Sequence, residues 1–195
     1  MSRLFGPMRQ VGIVVRDIDK AMRHWVEVCG VGPWFYAEQL PMDEVPGLLT
    51  WRVYAQFDGT QGQNGEDFIF AVADCDPVAC PLEVRVLSGT FFQHHANSHG
   101  MGDLSPDPAL CGDDPTVCLD TFVTIGAETS VGDATGLAPG WDGFGSDELI
   151  VCGSGWYITP KYRQGLPDRN VRVLIMQLST QDGVGFVGSG CGPAG

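Results

Sequence analysis

Residues 50–57 read TWRVYAQF, a stretch in which polar and apolar side chains alternate with a period of two. Such alternation is typical of a β-strand with one buried face, because successive side chains of a strand point to opposite sides. Further β-prone runs, separated by segments rich in Gly, Pro and Asp, follow along the chain. They are DFIFAVAD at 67–74, PLEVRVLSGTFF at 81–92, LDTFVTIG at 119–126, DELIVCGSGWYIT at 147–159 and VRVLIMQLS at 171–179. The chain is therefore predicted to be mainly β.

The β-prone runs follow one another without a recognisable helix, which favours a β-sandwich or jelly-roll-like domain over residues 46–195. Two loops rich in Gly, Asp and Pro, roughly 97–115 and 127–147, interrupt this domain. Residues 1–45 have another pattern and are predicted to form an N-terminal strand–helix–strand appendage. Its expected parts are a strand over 10–16, a helix capped by Asp17 or Asp19 that runs to about Val28 and stops at Gly30, and a turn at 30–36 into a second strand.

The charge of the chain restricts its partners. It has 24 acidic and 11 basic residues, a formal net charge of −13. Such a surface repels phosphate backbones and anionic lipid headgroups, so neither nucleic acid nor a membrane surface is expected as a partner. No apolar run reaches the roughly 18 residues of a membrane-spanning helix. A small molecule, a cation and a protein all remain open as partners.

Residues 7–43, PMRQVGIVVRDIDKAMRHWVEVCGVGPWFYAEQLPMD, resemble the opening of the vicinal oxygen chelate superfamily, which includes glyoxalases, bleomycin-resistance proteins and extradiol dioxygenases. The resemblance implies a βαβββ module whose strands hold a divalent metal through His, Gln or Glu side chains. Gln10 lies where that superfamily has its first ligand. By strand position, Glu83 and Glu148 are the candidate partners of Gln10, and the alternative for Gln10 is a solvated or hydrogen-bonded strand residue.

The rest of the chain resembles a second family, of uncharacterised β-rich domains from exported bacterial proteins. The segments that carry this resemblance are VPGLLTWRVYAQF at 45–57, GTFFQ at 89–93, DTFVTIG at 120–126, GSGWYITP at 153–160 and NVRVLIMQLS at 170–179. It implies a β-rich fold and an exported protein, and no site residues. Because the first pattern stops after Asp43, the chain is either a natural gene fusion or a sequence assembled across two genes.

Three histidines form the densest group of nitrogen ligands. His94, His95 and His99 lie within QHHANSH at 93–99, and imidazoles this close together can capture zinc, copper or nickel. Asn97 and the following residues favour a loop, so the alternative is an exposed polar loop.

Two further sets of residues have a functional and a structural interpretation. Clustered carboxylates suit calcium, although acidic turns on a chain of this charge are mostly solvated; they are Asp113 and Asp114, and Asp142, Asp147 and Glu148. Five aromatic residues are candidates for a sugar-binding groove, although aromatic side chains at a period of two are more often core, which we favour; they are Trp51, Phe91, Phe92, Trp141 and Trp156.

Six of the seven cysteines lie in the β-rich part, which is compatible with a disulfide framework. Short spacing favours the pairs Cys75 with Cys80 and Cys111 with Cys118, which leaves Cys152 for Cys191. Cys29 is expected to be a buried free thiol on the predicted helix. The alternative is that all the thiols are reduced in a cytoplasmic protein, since the first ten residues lack an export-signal pattern.

The leading hypothesis is a non-catalytic, β-rich domain of extracellular type, with an unknown ligand, joined to a shortened chelate-superfamily opening. It requires no cofactor. The alternative is a divalent-metal-dependent lyase, isomerase or dioxygenase of the chelate superfamily, in which the metal would polarise vicinal oxygens of a small substrate.

Overall fold

The computed structural model describes residues 17, 20, 21, 23, 24, 28, 34–39, 45, 47–57, 67–73, 82–97, 103–181 and 186–189. The chain forms two compact units, Met1–Gly32 and Pro33–Gly195. The domain boundary that the sequence predicts near residue 45 stays a prediction.

In the first unit, Lys20, Ala21, Arg23, His24 and Val28 have helical backbone. The predicted cap is confirmed at Asp17: its Oδ1 accepts a hydrogen bond of 2.9 Å from the Lys20 amide, as an N-cap carboxylate does. The predicted strand over 10–16 and the predicted stop at Gly30 lie outside the described residues. None of the helices in the described ranges is long and apolar enough to cross a membrane.

The second unit is mainly β, as predicted. Its described strands are β1 (Trp34–Gln39), β2 (Leu48–Gln56), β3 (Ala71–Ala73), β4 (Leu82–Val86), β5 (Thr90–Phe91), β6 (Phe122–Val123), β7 (Gly136–Leu137), β8 (Glu148–Val151), β9 (Gly155–Tyr157), β10 (Arg172–Gln181) and β11 (Phe186–Ser189). The alternating stretch at 50–57 lies almost wholly in β2. Two predicted runs each break into two strands, β4 with β5 and β8 with β9.

The predicted loop over 97–115 is wrong in one part, because it contains a short α-helix, Pro108–Asp113, followed by a 3₁₀ helix, Pro115–Leu119. Asp107 caps the α-helix by accepting a hydrogen bond of 2.9 Å from Ala109, and Asp114 caps the 3₁₀ helix by accepting one of 2.9 Å from Thr116. In both helices a proline follows the cap at the first position, where its missing N–H costs nothing. Further 3₁₀ turns lie at His95–Asn97 and Arg163–Gly165.

The described strands form three antiparallel sheets. The largest has the order β1–β2–β10–β5, with β6 also paired to β10, and the others have the orders β11–β4–β8 and β3–β9–β7. The long pairing of β2 with β10 sets Arg52 opposite Gln177 and Thr50 opposite Ser179.

One apolar core is shared by all three sheets. Buried members include Val53 and Ile175 of the largest sheet, Val84 and Leu149 of the second, and Trp156 of the third. Because β2 alternates, its other face is polar: the hydroxyls of Thr50 and Ser179 lie 2.7 Å apart there.

Candidate functional site

The two carboxylates predicted as metal ligands lie close together on the second sheet. Arg85 of β4 is paired in register with Glu148 of β8, and Glu83 lies two residues before Arg85, on the same face. The guanidinium of Arg85 forms ion pairs with both carboxylates, and its Nη2 lies 3.3 Å from Oε2 of Glu148. Hydrogen bonding and the charge of Glu83 raise the pKa of Arg85, so this group stays cationic.

This geometry does not fit a metal site as it stands. Glu83 and Glu148 converge on a permanent cation rather than on an open position, and a metal would have to displace it. Gln10 lies outside the described residues, so the three-ligand set stays a prediction. Among the side chains that the structure describes, no group of three or more His, Cys, Asp or Glu could hold a metal ion. The described side chains include those of the acidic turns at 113–114 and 142–148, which the sequence suggested as calcium sites.

The histidine segment is the most extensively bonded of the predicted sites. His94 is buried, with 9 % of its surface exposed, and its ring stacks on that of His95 with 4.6 Å between ring centroids. Its Nδ1 accepts a hydrogen bond of 3.2 Å from the Ala96 amide, while its Nε2 lies 3.3 Å from Oδ2 of Asp114. His99 lies outside the described residues.

These contacts assign the proton of neutral His94. A backbone N–H can only donate, so Nδ1 must be the acceptor and Nε2 carries the hydrogen that faces Asp114. A metal at Nε2 would replace that hydrogen and would leave the ring without a proton on either nitrogen. In this structure His94 therefore links its own segment to the one that carries Asp114. The metal site predicted for His94, His95 and His99 stays a prediction.

Asp114 is held in place from its other side. Its Oδ1 accepts hydrogen bonds from the amide and the hydroxyl of Thr116, at 2.9 and 2.6 Å. Hydrogen bonding by Thr116 is the main cause that lowers the pKa of Asp114, with a smaller contribution from His94. Asp114 therefore presents a fixed, ionised oxygen to His94.

A disulfide closes the segment that carries Asp114. The sulfurs of Cys111 and Cys118 lie 2.09 Å apart and their Cα atoms 5.4 Å apart, so this predicted pair is confirmed. Cys152 is exposed just after β8, and its predicted partner Cys191 lies outside the described residues. The other cysteines named in the predictions also lie outside them; they are Cys29, Cys75 and Cys80.

Asp120, two residues after Cys118, is a site residue that sequence reasoning missed. Its side chain is fully buried, yet its Oδ1 accepts hydrogen bonds from the amides of His94 (2.7 Å) and Thr121 (3.0 Å). Its Oδ2 accepts one of 2.6 Å from Nδ2 of Asn97. Burial raises the pKa of Asp120 to about 6, although these hydrogen bonds oppose the shift. The sequence offered one indication of this site: Asp120 is a carboxylate inside the β-prone run LDTFVTIG, and a charge that is buried in a strand region needs hydrogen-bond partners.

A second group that the sequence did not indicate lies on the polar face of the largest sheet. The guanidinium of Arg172 lies over the ring of Tyr54, 3.9 Å from its centroid, and forms an ion pair of 2.6 Å with Glu38. Arg52 bonds Gln177 at 3.2 Å and Glu128 at 2.9 Å. Burial raises the pKa of Tyr54, while the two arginines act in the other direction. These contacts tie β1 and the loop after β6 to the sheet.

Phe91 and Trp156 belong to the core and Trp141 packs against it, as favoured from the sequence, whereas Trp51 and Phe92 lie outside this cluster. Trp156 is fully buried and donates through Nε1 to the carbonyl of Thr124 at 2.9 Å, and Phe91 is 6 % exposed. Trp141 packs edge-on against Trp156 with centroids 5.8 Å apart, and its Nε1 donates to Oδ2 of Asp103 at 2.8 Å. The partly buried Trp51 and Phe92 contact Phe186 and His94 respectively.

Comparison with known proteins does not assign the chain to a family. No family model, curated protein or solved structure matches the chain. The resemblances to the chelate superfamily and to exported β-rich domains therefore stay predictions that rest on their own residues. The bonded group of His94, Asn97, Asp114 and Asp120 is the best-defined candidate site.

Proposed function

We propose that this chain is a non-catalytic, β-rich domain of extracellular type, with its three sheets packed as a β-sandwich or a jelly-roll-like fold. The observation that carries the proposal is the Cys111–Cys118 disulfide. Structural disulfides persist in oxidising compartments and are rare in cytosolic proteins. Residues 7–43 would contribute a shortened chelate-superfamily opening.

The bonding of polar side chains between 94 and 135 supports the non-catalytic part of the proposal. His94 bonds Asp114 through its ring and Asp120 through its backbone amide. The side-chain amide of Gln164 bonds Asp133 at 3.0 Å and Thr135 at 3.2 Å. Side chains engaged in this way hold loops against a sheet. A general base instead needs a nitrogen or oxygen within reach of a substrate proton.

Thiol mapping of the native protein tests the extracellular assignment. The protein would be isolated from its source with a thiol-alkylating reagent present from lysis onward, digested without reductant and analysed by mass spectrometry. We expect a linked pair of peptides that contain Cys111 and Cys118, in the exported fraction. Alkylation of both cysteines in a cytoplasmic fraction would contradict the proposal.

A second candidate is the metal-dependent enzyme of the chelate superfamily, in which a metal would have to displace Arg85 from between the neighbouring carboxylates of Glu83 and Glu148. Titration of the full chain with Mn²⁺, Ni²⁺ or Zn²⁺ by calorimetry tests it, with Glu83→Gln and Gln10→Ala as variants. The control is Glu128→Gln, which also removes a carboxylate paired with an arginine, in this case Arg52 of the largest sheet. Stoichiometric binding that both test variants abolish and the control retains would replace our proposal with this one; we expect no such binding.

A further inference from the structure

One oxygen of Asp120 cannot carry a proton. Oδ1 accepts from two backbone amides, His94 at 2.7 Å and Thr121 at 3.0 Å. Backbone N–H groups cannot reverse their direction, so a hydrogen on Oδ1 would point at two donors. A proton taken up by Asp120 therefore has to reside on Oδ2.

The partner of Oδ2 is the side-chain amide of Asn97. The Nδ2 group of Asn97 lies 2.6 Å from Oδ2 of Asp120 and also 3.3 Å from the carbonyl oxygen of Leu104. A proton on Oδ2 would face this donor. A half-turn of the Asn97 amide removes the conflict, because its carbonyl oxygen then accepts the new hydrogen. The same half-turn takes Nδ2 away from Leu104.

We propose that Asp120 and Asn97 form a proton-operated switch, in which ionised Asp120 keeps Asn97 bonded to Leu104 and protonated Asp120 releases Leu104. One proton enters from solvent, and no covalent bond changes. The release of Leu104 would act on the largest sheet, because Leu104 forms a parallel bridge with Val123 of β6. The carbonyl of the neighbouring Asp103 also accepts a hydrogen bond of 2.8 Å from the Val123 amide.

The surroundings of Asp120 determine the pH at which the switch would operate, which is mildly acidic. Burial in the fold raises the pKa of Asp120 to about 6. From the segment before the His95–Asn97 turn, the backbone amide of His94 donates to Oδ1 and opposes this shift, and Asp114 faces the ring of His94 on its far side. From β10 the neighbouring side chain is the uncharged Gln177, which donates to the backbone carbonyl of Asp120 at 2.9 Å.

Solution NMR of the full chain between pH 4.5 and 8 tests the proposal. The three signals to follow are the Asp120 carboxyl carbon, the Asn97 side-chain amide and the Leu104 carbonyl carbon. We expect all three to change together with a midpoint of about pH 6. An Asp120 midpoint below about pH 5, or Asn97 and Leu104 signals that stay constant while Asp120 titrates, would overturn the proposal.

Two variants separate the switch from other titrations. Asn97→Ala should keep an Asp120 transition but move it to higher pH, because a hydrogen bond to the carboxylate is lost, and it should abolish the pH dependence of the Leu104 signal. Persistence of that dependence would overturn the proposal. Asp114→Asn is the control, because it removes the carboxylate that faces His94 and leaves Asp120 intact. In this control the Leu104 midpoint should stay within about half a pH unit of the wild-type value. Loss of the transition would assign it to the His94–Asp114 pair and reject the switch.

Discussion

At the scale of single residues, Gly126 and Gly132 have nearly the same backbone but different surroundings. Their φ angles are +78° and +77°, in the left-handed region that costs other residues about 1 kcal/mol or more. A Cβ on Gly126 would overlap the backbone carbonyl of Gln164, whereas one on Gly132 would meet nothing within 4 Å. The pair therefore separates conformational strain from steric overlap.

We expect Gly132→Ala to lower the free energy of unfolding by about 1 kcal/mol, through strain alone. Gly126→Ala should lower it by about 2 to 4 kcal/mol, because backbone at Gln164 also has to move. Urea denaturation followed by far-ultraviolet circular dichroism measures both. Equal losses in the two variants would mean that the contact between Gly126 and Gln164 is absent in solution.

Asp120 makes stability depend on pH in a direction opposite to that of an ion-paired carboxylate. Its pKa is raised to about 6 in the fold, against about 3.9 in an unfolded chain. A raised pKa means that the stabilising contribution is complete below the unfolded pKa and is lost as the pH rises through about 6. Two pKa units correspond to up to about 3 kcal/mol.

We therefore expect the free energy of unfolding of the wild type, relative to that of Asp120→Asn, to fall as the pH rises from 4.5 to 7.5. The comparison with the variant removes the general effect of charge repulsion in this acidic chain. Asp114→Asn is the matched control: the pKa of Asp114 is lowered, so its contribution is lost as the pH falls. A difference between wild type and Asp120→Asn that does not vary with pH would contradict the prediction.

At the scale of elements, the disulfide closes a short segment that contains the end of one helix and most of the next. Cys111 and Cys118 are seven residues apart, and a loop of that size stabilises by about 2.5 kcal/mol in the chain-entropy account. The double variant Cys111→Ala, Cys118→Ala should therefore lose about 2 to 3 kcal/mol of unfolding free energy. Ala109→Ser, on the exposed side of the same helix, serves as the control and should change stability by less than about 0.5 kcal/mol. Unchanged stability in the double variant would indicate that the loop is already ordered without its disulfide.

The elements differ in how far the sequence could predict them. β2 and β10 could be predicted because long alternating or β-branched runs carry their own signal. β6 and β7 have two residues each, and a strand that short exists only because a distant strand pairs with it. The helix Pro108–Asp113 was missed because Asp107 and Pro108 are equally common in turns and at helix starts.

The candidate sites show the same limit. Glu83 and Glu148 were named from their strand positions, but that their strands are neighbours and that Arg85 lies between them required the β4–β8 register. The histidine segment was visible in the sequence, whereas its bonds to Asp114 and Asp120 depend on contacts across 20 to 26 residues. Long-range pairing of this kind leaves no local pattern.

At the scale of the whole molecule, the second compact unit begins at Pro33 and includes β1. β1 pairs along its full length with β2, from Trp34 opposite Gln56 to Gln39 opposite Trp51. The ion pair between Arg172 and Glu38 adds a second tie between β1 and the sheet, although half-exposed pairs contribute little. Removal of β1 would expose the edge of β2 to solvent and to other chains.

Two fragments test whether this unit folds alone and whether it needs β1. We expect residues 33–195 to melt cooperatively with the β-type circular dichroism of the full chain, because its three sheets share one core. Residues 46–195, which lack β1, should melt at least about 5 °C lower and associate more readily, since the β2 edge is unpaired. Thermal melts and analytical ultracentrifugation measure these two properties. Equal melting temperatures would show that β1 is dispensable and that the unit begins near residue 46, as the sequence alone predicts. A fragment 33–195 without cooperative melting would show instead that residues 1–32 are needed for folding.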